Sequence, residues 1–282
     1  MRTLRARRRR DAWVHVGLIA AVVLVLTPLI LVIAHVAVQG IGAWTLDFFT
    51  QELGSPARAQ QGRPTGLVHT IVGTLIIDGL ALLLVLPFGI LAGALLAEFP
   101  DHRLNPVVRV MADTLNGMPA ILKGLLAYAL IVQPMGGFSA LAGSVALALV
   151  MLPILTRAVE GALAAVPWSL REATLALGVP RWRAIVATSM PAARTGIVTG
   201  VLIAFARAAG EAAPLLLTSF GNNYLSFDLS RPMDTLPQRL YSLAISPYRE
   251  WHTMGWGAAL LLLTLVVVAF VTARVATRRR FR

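Results

Sequence analysis

The sequence predicts an all-α polytopic membrane protein with six transmembrane helices. Of its 282 residues, 57% are hydrophobic and only 13% charged, with a mean hydropathy of +0.74. A soluble domain is nearer a quarter charged. Six apolar runs, about 14–38, 70–97, 107–132, 140–159, 196–219 and 255–276, each hold roughly 20 residues or more, enough to cross a hydrocarbon core of about 30 Å. The formal charge of +12 does not mark a nucleic-acid binder, because the basic residues gather beside the apolar runs as topology signals do.

Taken in order, the first run follows a cluster of arginines (Arg2, Arg5, Arg7, Arg8, Arg9, Arg10). It is too long for the apolar region of a signal peptide and no small-residue cleavage site follows, so it is read as an uncleaved first span. The third run is interrupted by Asn116, Gly117, Pro119 and Lys123. Pro28, Pro87, Pro119, Pro153 and Pro214 fall inside spans, where neighbouring helices can satisfy the carbonyls they free. With the N-terminus inside, the cytoplasmic segments hold eighteen arginines and the opposite side five (Arg58, Arg63, Arg231, Arg239, Arg249), which puts both termini in the cytoplasm. The outer face then carries loops at about 39–69, 133–139 and 220–254, with Trp44, Phe48, Phe49, Tyr248, Trp251 and Trp256 placed as interfacial aromatics.

The absences also narrow the function. The chain has no cysteine, hence no disulfide framework or thiolate metal site. No spacing of His, Asp and Glu resembles a metal site, and His35 is read as a packed or interfacial side chain. No G-x-x-x-x-G-K-[ST] loop is present, so the chain is not expected to bind or hydrolyse ATP, and no cofactor is expected in it.

Between the fourth and fifth runs lies a basic, amphipathic stretch. Ser169-Leu170-Arg171-Glu172 reads as a capping box, in which the Ser169 hydroxyl accepts the Glu172 amide while Glu172 reaches back to the Ser169 amide. Ala173, Leu175, Ala176 and Leu177 favour helix. Gly178 stands where a left-handed residue would close that helix, and Pro180 suits the start of a second one running to Pro191. The expected element is a helix–glycine–helix hairpin over 168–191, within a cytoplasmic loop of about 160–194.

Four ionisable residues fall inside the spans: Asp78, Lys123, Arg207 and Glu211. A charge near the bilayer centre costs at least about 2.5 kcal/mol, so each needs a partner or a water-filled cavity. Arg207 and Glu211 are i,i+4 neighbours and can pair. That pair either locks helices together or presents a guanidinium to an anion. Lys123 either pairs with Asp78 or supplies a second cation. Arg157 and Glu160, near the end of the fourth run, either link it to the hairpin or anchor it at the interface.

The stretch Glu172-Ala173-Thr174-x3-Gly178-x9-Thr188-Ser189-Met190-Pro191 resembles the EAA loop of ABC importer permeases, E-A-A-x3-G-x9-I-x-L-P, departing from it at Thr174, Thr188 and Met190. Ile71-Val72-Gly73-Thr74-Leu75, Asn116-Gly117-Met118-Pro119-Ala120-Ile121, and Arg207-Ala208-Ala209-Gly210-Glu211-Ala212-Ala213-Pro214 are similar, in order and spacing, to the phosphate-specific members of that family. The resemblance covers almost the whole chain. It implies the type I ABC importer permease fold as a single transmembrane domain over 1–282. It also implies inner-membrane localisation, import of inorganic phosphate by alternating access, and a coupling helix that docks on an ATPase. The implied partners are a second homologous permease, two ATPase subunits that bind ATP and Mg, an extracytoplasmic phosphate-binding protein, and membrane lipid. It places Arg207 and Glu211 in the translocation path, and both Asp78 and Lys123 depart from the apolar residues usual there. Alternatives are a permease for molybdate, sulfate or phosphonate, an ion-coupled secondary transporter using Asp78 and Glu211, and a polytopic membrane enzyme.

Overall fold

A computed structural model describes residues 2–278. The arginine side chains at 2–10 and 278–282, counted above in the charge balance, lie outside the described part. In hydrocarbon a chain must satisfy its backbone within itself, and each apolar run does so as a helix. The architecture consists of α1 (Arg2–Ile41), α2 (Val68–Glu98), α3 (Asn105–Gly117), α4 (Ala120–Met135), α5 (Ala140–Ala164), α6 (Trp168–Ala176), α7 (Arg181–Ala209), α8 (Leu236–Ala244) and α9 (Arg249–Arg278). Five of these are each long and apolar enough to cross a membrane, and six spans result if the bent pair α3–α4 is one.

The centre of the fold is α5. In its apolar stretch 61% of residues are buried, against none in that of α1. Small residues let its neighbours come close, as membrane helices need when no hydrophobic force drives them together. On one side Gly89 and Gly93 of α2 face Leu155 and Val159; a Cβ on Gly93 would fall 2.6 Å from the Val159 Cβ and 2.7 Å from the Thr156 carbonyl oxygen. On the other side Gly196 and Gly200 of α7 face Ala162 and Ala158, and a Cβ on Gly196 would stand 2.7 Å from the Ala162 Cβ. Ile77, Ala81 and Val85 of α2, Leu147, Met151 and Leu155 of α5, and Ala204 and Ala208 of α7 complete this core.

The third expected span is broken. Helices α3 and α4 meet at a bend of 112°. Met118 is extended (φ −75°, ψ 132°), as a residue before proline tends to be, and Pro119 cannot donate to the preceding turn. The pair nevertheless climbs the bundle. Arg109 and Asp113 of α3 meet Glu160 and Arg157 near the C-terminal end of α5. At the opposite end, α4 leads directly into the start of α5, where the Ser139 amide donates to the Thr218 carbonyl. The pair is therefore a broken span, not a re-entrant loop.

The fifth expected span, 196–219, is displaced along the chain. Helix α7 starts at Arg181 and stops at Ala209; Gly210 and Glu211 leave it, and Pro214 opens a single turn over Ala213–Leu216. The chain then reverses through Phe220 and Gly221, both at positive φ (58° and 74°). A second core closes the end of the bundle away from α6. There Phe48, expected at the interface, is instead buried with Leu67, Leu236, Leu243 and Ala258. Its ring sits where the close approach of Gly257 leaves room.

The chain has no native cysteine, so single cysteines report topology cleanly. Arg103→Cys and Gly137→Cys, both exposed, are expected to react with an impermeant maleimide from opposite faces of sealed vesicles. Labelling of both from one face would make the bent pair re-entrant.

Candidate functional site

The segment after α5 is built by prolines and one glycine. The predicted capping box is absent. Pro167 occupies the N-cap position (φ −55°, ψ 135°), α6 begins at Trp168, and no side chain caps it. Ser169 lies inside the first turn because the fixed φ of Pro167 sets the helix start two residues earlier than a serine cap would. Gly178, at φ +77°, closes α6 in the left-handed region, its amide donating to the Leu175 carbonyl at 2.9 Å. Pro180 (φ −62°, ψ 145°) then opens the second arm.

That second arm is not a separate short helix. It runs on through a π turn at Ile185–Ser189 into the membrane-crossing part of α7. A second π turn, Tyr128–Val132, lies in α4. Each is followed within two residues by a proline, Pro191 and Pro134, whose ring would collide with the carbonyl four residues back. The wider turn leaves room for that carbonyl, so each helix passes a proline without stopping.

On the hairpin, Glu172, Ala173, Gly178 and the apolar Trp168, Leu170, Leu175, Leu177 and Trp182 are exposed. Thr174 bonds Thr188 across the two arms at 3.2 Å. Arg171 points inward and is buried against Glu98, the last residue of α2, with Nε and Nη2 donating to the carboxylate at 3.0–3.2 Å. Its other bonds go to the Leu163 and Val166 carbonyls, both at 2.6 Å. Arg181 donates to the Glu98 backbone carbonyl and lies over the Phe99 ring, 4.4 Å from its centroid. Glu98 simply ends an apolar run in the sequence; the available signal is a carboxylate in the last turn of a span whose flanking segments are rich in arginine.

Arg157 and Glu160 do not reach the hairpin. Arg157 bridges Glu160 at 2.8 Å and Asp113 at 2.6 Å, while Glu160 also meets Arg109 at 2.7 Å. This four-charge cluster fastens α3 across the end of α5. The sequence showed the i,i+3 pair, but its partners arrive only when the bend at residues 118–119 lays α3 beside α5.

The intramembrane charges divide into two sites. Arg207 and Glu211 face each other at 3.6 Å where α7 ends, with the Arg207 side chain 64% exposed. Gly124 of α4 lets the Pro214 turn approach, since a Cβ there would stand 2.6 Å from the Pro214 Cα. That contact brings Lys123 within electrostatic range of Arg207 and Glu211. Lys123 is buried, and Arg207 and Glu211 are the charged groups in range of its ammonium. Of the two alternatives for Lys123, the structure shows no pairing with Asp78 among the described residues. Asp78 lies instead in an apolar groove of about 280 Å³ with Thr74, Phe205, Ala209, Leu262 and Leu265. Phe205 and Ala209 share one face of α7, and Arg207 points from another.

Comparison with known proteins bears on what this arrangement serves. Residues 86–282 match the family described as the binding-protein-dependent transport system inner membrane component. The phosphate transport system permease protein PstA of Yersinia pestis is 39% identical over 280 residues, spanning 96% of this chain and 94% of that protein. The PstA protein of Haemophilus influenzae is 40% identical, over 83% and 82% of the two chains. The probable PstA protein of Methanocaldococcus jannaschii is also 40% identical, over 76% of each. Among solved structures, an inward-facing form of the MetNI methionine ABC transporter superposes with a TM-score of 0.60 at 20% identity, covering 75% of this chain and 92% of that one. At that identity the likeness is one of fold, and the fold is the type I ABC importer permease.

Separation of the two charged sites has a measurable consequence. In a double-mutant cycle of Asp78→Asn and Lys123→Met, the changes in thermal stability of the purified protein are expected to add to within about 0.5 kcal/mol. A coupling well above that would mean that the two side chains meet.

Proposed function

This chain belongs to the family of binding-protein-dependent transport system inner membrane components, and from that membership we propose that it is the permease subunit of an ATP-driven importer of inorganic phosphate. The observation that carries the reading is the grouping of Arg207, Lys123 and Glu211 at the break of α7, in a chain close in sequence over nearly its full length to a phosphate permease. Two cations and one carboxylate leave a net positive site. An exposed guanidinium can offer forked donors to phosphate oxygens, and the ammonium of Lys123 adds a second positive charge beside it. Glu211 holds Arg207 and moderates its grip, so that the anion is released as well as bound.

In this reading the chain is one transmembrane domain that works beside a second homologous permease, and it receives phosphate from an extracytoplasmic binding protein. ATP and Mg belong to two partner ATPase subunits, whose groove receives the exposed faces of α6 and the start of α7, including Glu172, Ala173 and Trp182. Both termini and the hairpin face the cytoplasm, following the excess of arginine on that side. Helix α7 runs unbroken from Arg181 to Ala209, a rod of about 43 Å at 1.5 Å per residue. A displacement imposed on the hairpin therefore reaches Arg207 at the other end of one element. Alternating access follows if that displacement changes which side Arg207 and Lys123 face.

A related oxyanion such as sulfate or molybdate would meet the same charges, so substrate identity is tested directly. In a strain lacking its own phosphate permease, this chain with its partner subunits is expected to restore phosphate uptake. Arg207→Gln should reduce that uptake about tenfold or more while the complex still assembles, the loss expected from removing charge-assisted hydrogen bonds. Normal uptake by the assembled variant would remove Arg207 from the path.

A further inference from the structure

Both arms of the hairpin converge on the corner where α2 ends. The Arg171 guanidinium spends its donors on two other elements: the Glu98 carboxylate of α2, and the Leu163 and Val166 carbonyls at the C-terminal end of α5. A cation there also meets the negative end of the α5 dipole. The side chains of Glu98 and Arg171 are only 5% and 10% exposed, so the pair is shielded from competing water. Arg181 fastens the second arm to the same corner through the Glu98 carbonyl and the Phe99 ring.

A cavity of about 210 Å³ opens between the arms and the corner, lined by Glu98, Trp168, Arg171, Leu175, Arg181 and Ile185. Toward solvent, α6 turns Leu170, Leu175 and Leu177 outward. The hairpin thus offers one face to a partner and, on the other, ties its first arm to the ends of α2 and α5 through the polar clamp.

We propose that Glu98 is a positioning residue for energy coupling: its carboxylate, through Arg171, passes movement of the hairpin to α2 and α5, while α7 receives it through the continuous helix. This rests on the importer reading above. The glycine seams already join α2, α5 and α7 within the bundle; the clamp adds a direct link from the first arm of the hairpin to the ends of α2 and α5. Loss of the carboxylate's charge leaves the outer docking face of α6 untouched but loosens that link.

The test uses the complete importer, with partner permease, ATPase subunits and phosphate-binding protein, reconstituted in vesicles, and measures ATP hydrolysis and phosphate uptake together. In Glu98→Gln the phosphate moved per ATP is expected to fall about tenfold, on the scale of one lost charge-assisted hydrogen bond, with hydrolysis persisting. Glu98→Asp should recover part of the ratio. If Glu98→Gln fails to assemble, Arg171→Lys decides the same point, since lysine keeps the charge but cannot bridge the carboxylate and both carbonyls at once. An unchanged ratio in an assembled variant, or a parallel fall in hydrolysis and uptake, would overturn the proposal. Failure of the unsubstituted complex to move phosphate would instead overturn the importer reading.

Discussion

The close approach of α2 and α7 to the two sides of α5 is the constraint on which the rest of the structure depends. Gly89 and Gly93 make one seam, and Gly196 and Gly200 the other, against Ala158 and Ala162. Lipid tails are as apolar as leucine, so the helices gain by contact area and van der Waals packing rather than by escape from water. Once both sides of α5 are occupied, the remaining helices must find other surfaces. Helix α9 lies against α1, α7 and α8 and buries only part of its length, and α1 shows nearly all of its described side chains to the surroundings. The outer helices are thus left free for lipid or for neighbouring subunits.

Charge completes what the seams begin. Three charged clusters join elements that are distant in sequence: α3 to α5 through Arg109, Asp113, Arg157 and Glu160; α2 to α6 through Glu98 and Arg171; and α4 to the end of α7 through Lys123, Arg207 and Glu211. The third differs from the others. In the first two the cations and carboxylates pair closely, whereas the third sets two cations against one carboxylate and leaves the guanidinium exposed. In hydrocarbon such an imbalance is expensive unless an anion or water offsets it.

Much of this was legible along the chain, and the reason for the remainder is geometric. Length and hydropathy locate the spans because a helix must bridge a fixed thickness. Gly178 declares the turn after α6 because only glycine adopts its φ without strain. The Asn-Gly-Met-Pro interruption was visible, but counting apolar residues over 107–132 gave no angle, and a bend of 112° has the same composition as a straight helix with a soft point. Sequence shows which charges lie three or four residues apart and not which helix faces which. Spacing therefore marks Arg157 and Glu160 as a pair but leaves open whether they meet the hairpin, and it leaves open whether Lys123 pairs with Asp78 or stands beside Arg207. Glu98 had no sequence-local partner at all.

The π turn at Ile185–Ser189 lies between the hairpin and Arg207 on one continuous helix. Such a turn holds one residue more than an α turn but winds through about the same angle. The wide turn therefore takes up the extra residue, and the helix beyond it keeps its phase against the hairpin. Put one more residue in with no second wide turn to hold it, and the same rod with the same charges would aim its guanidinium about 100° away. The helix fixes how far a push travels, and the wide turn preserves the compass bearing on which it arrives.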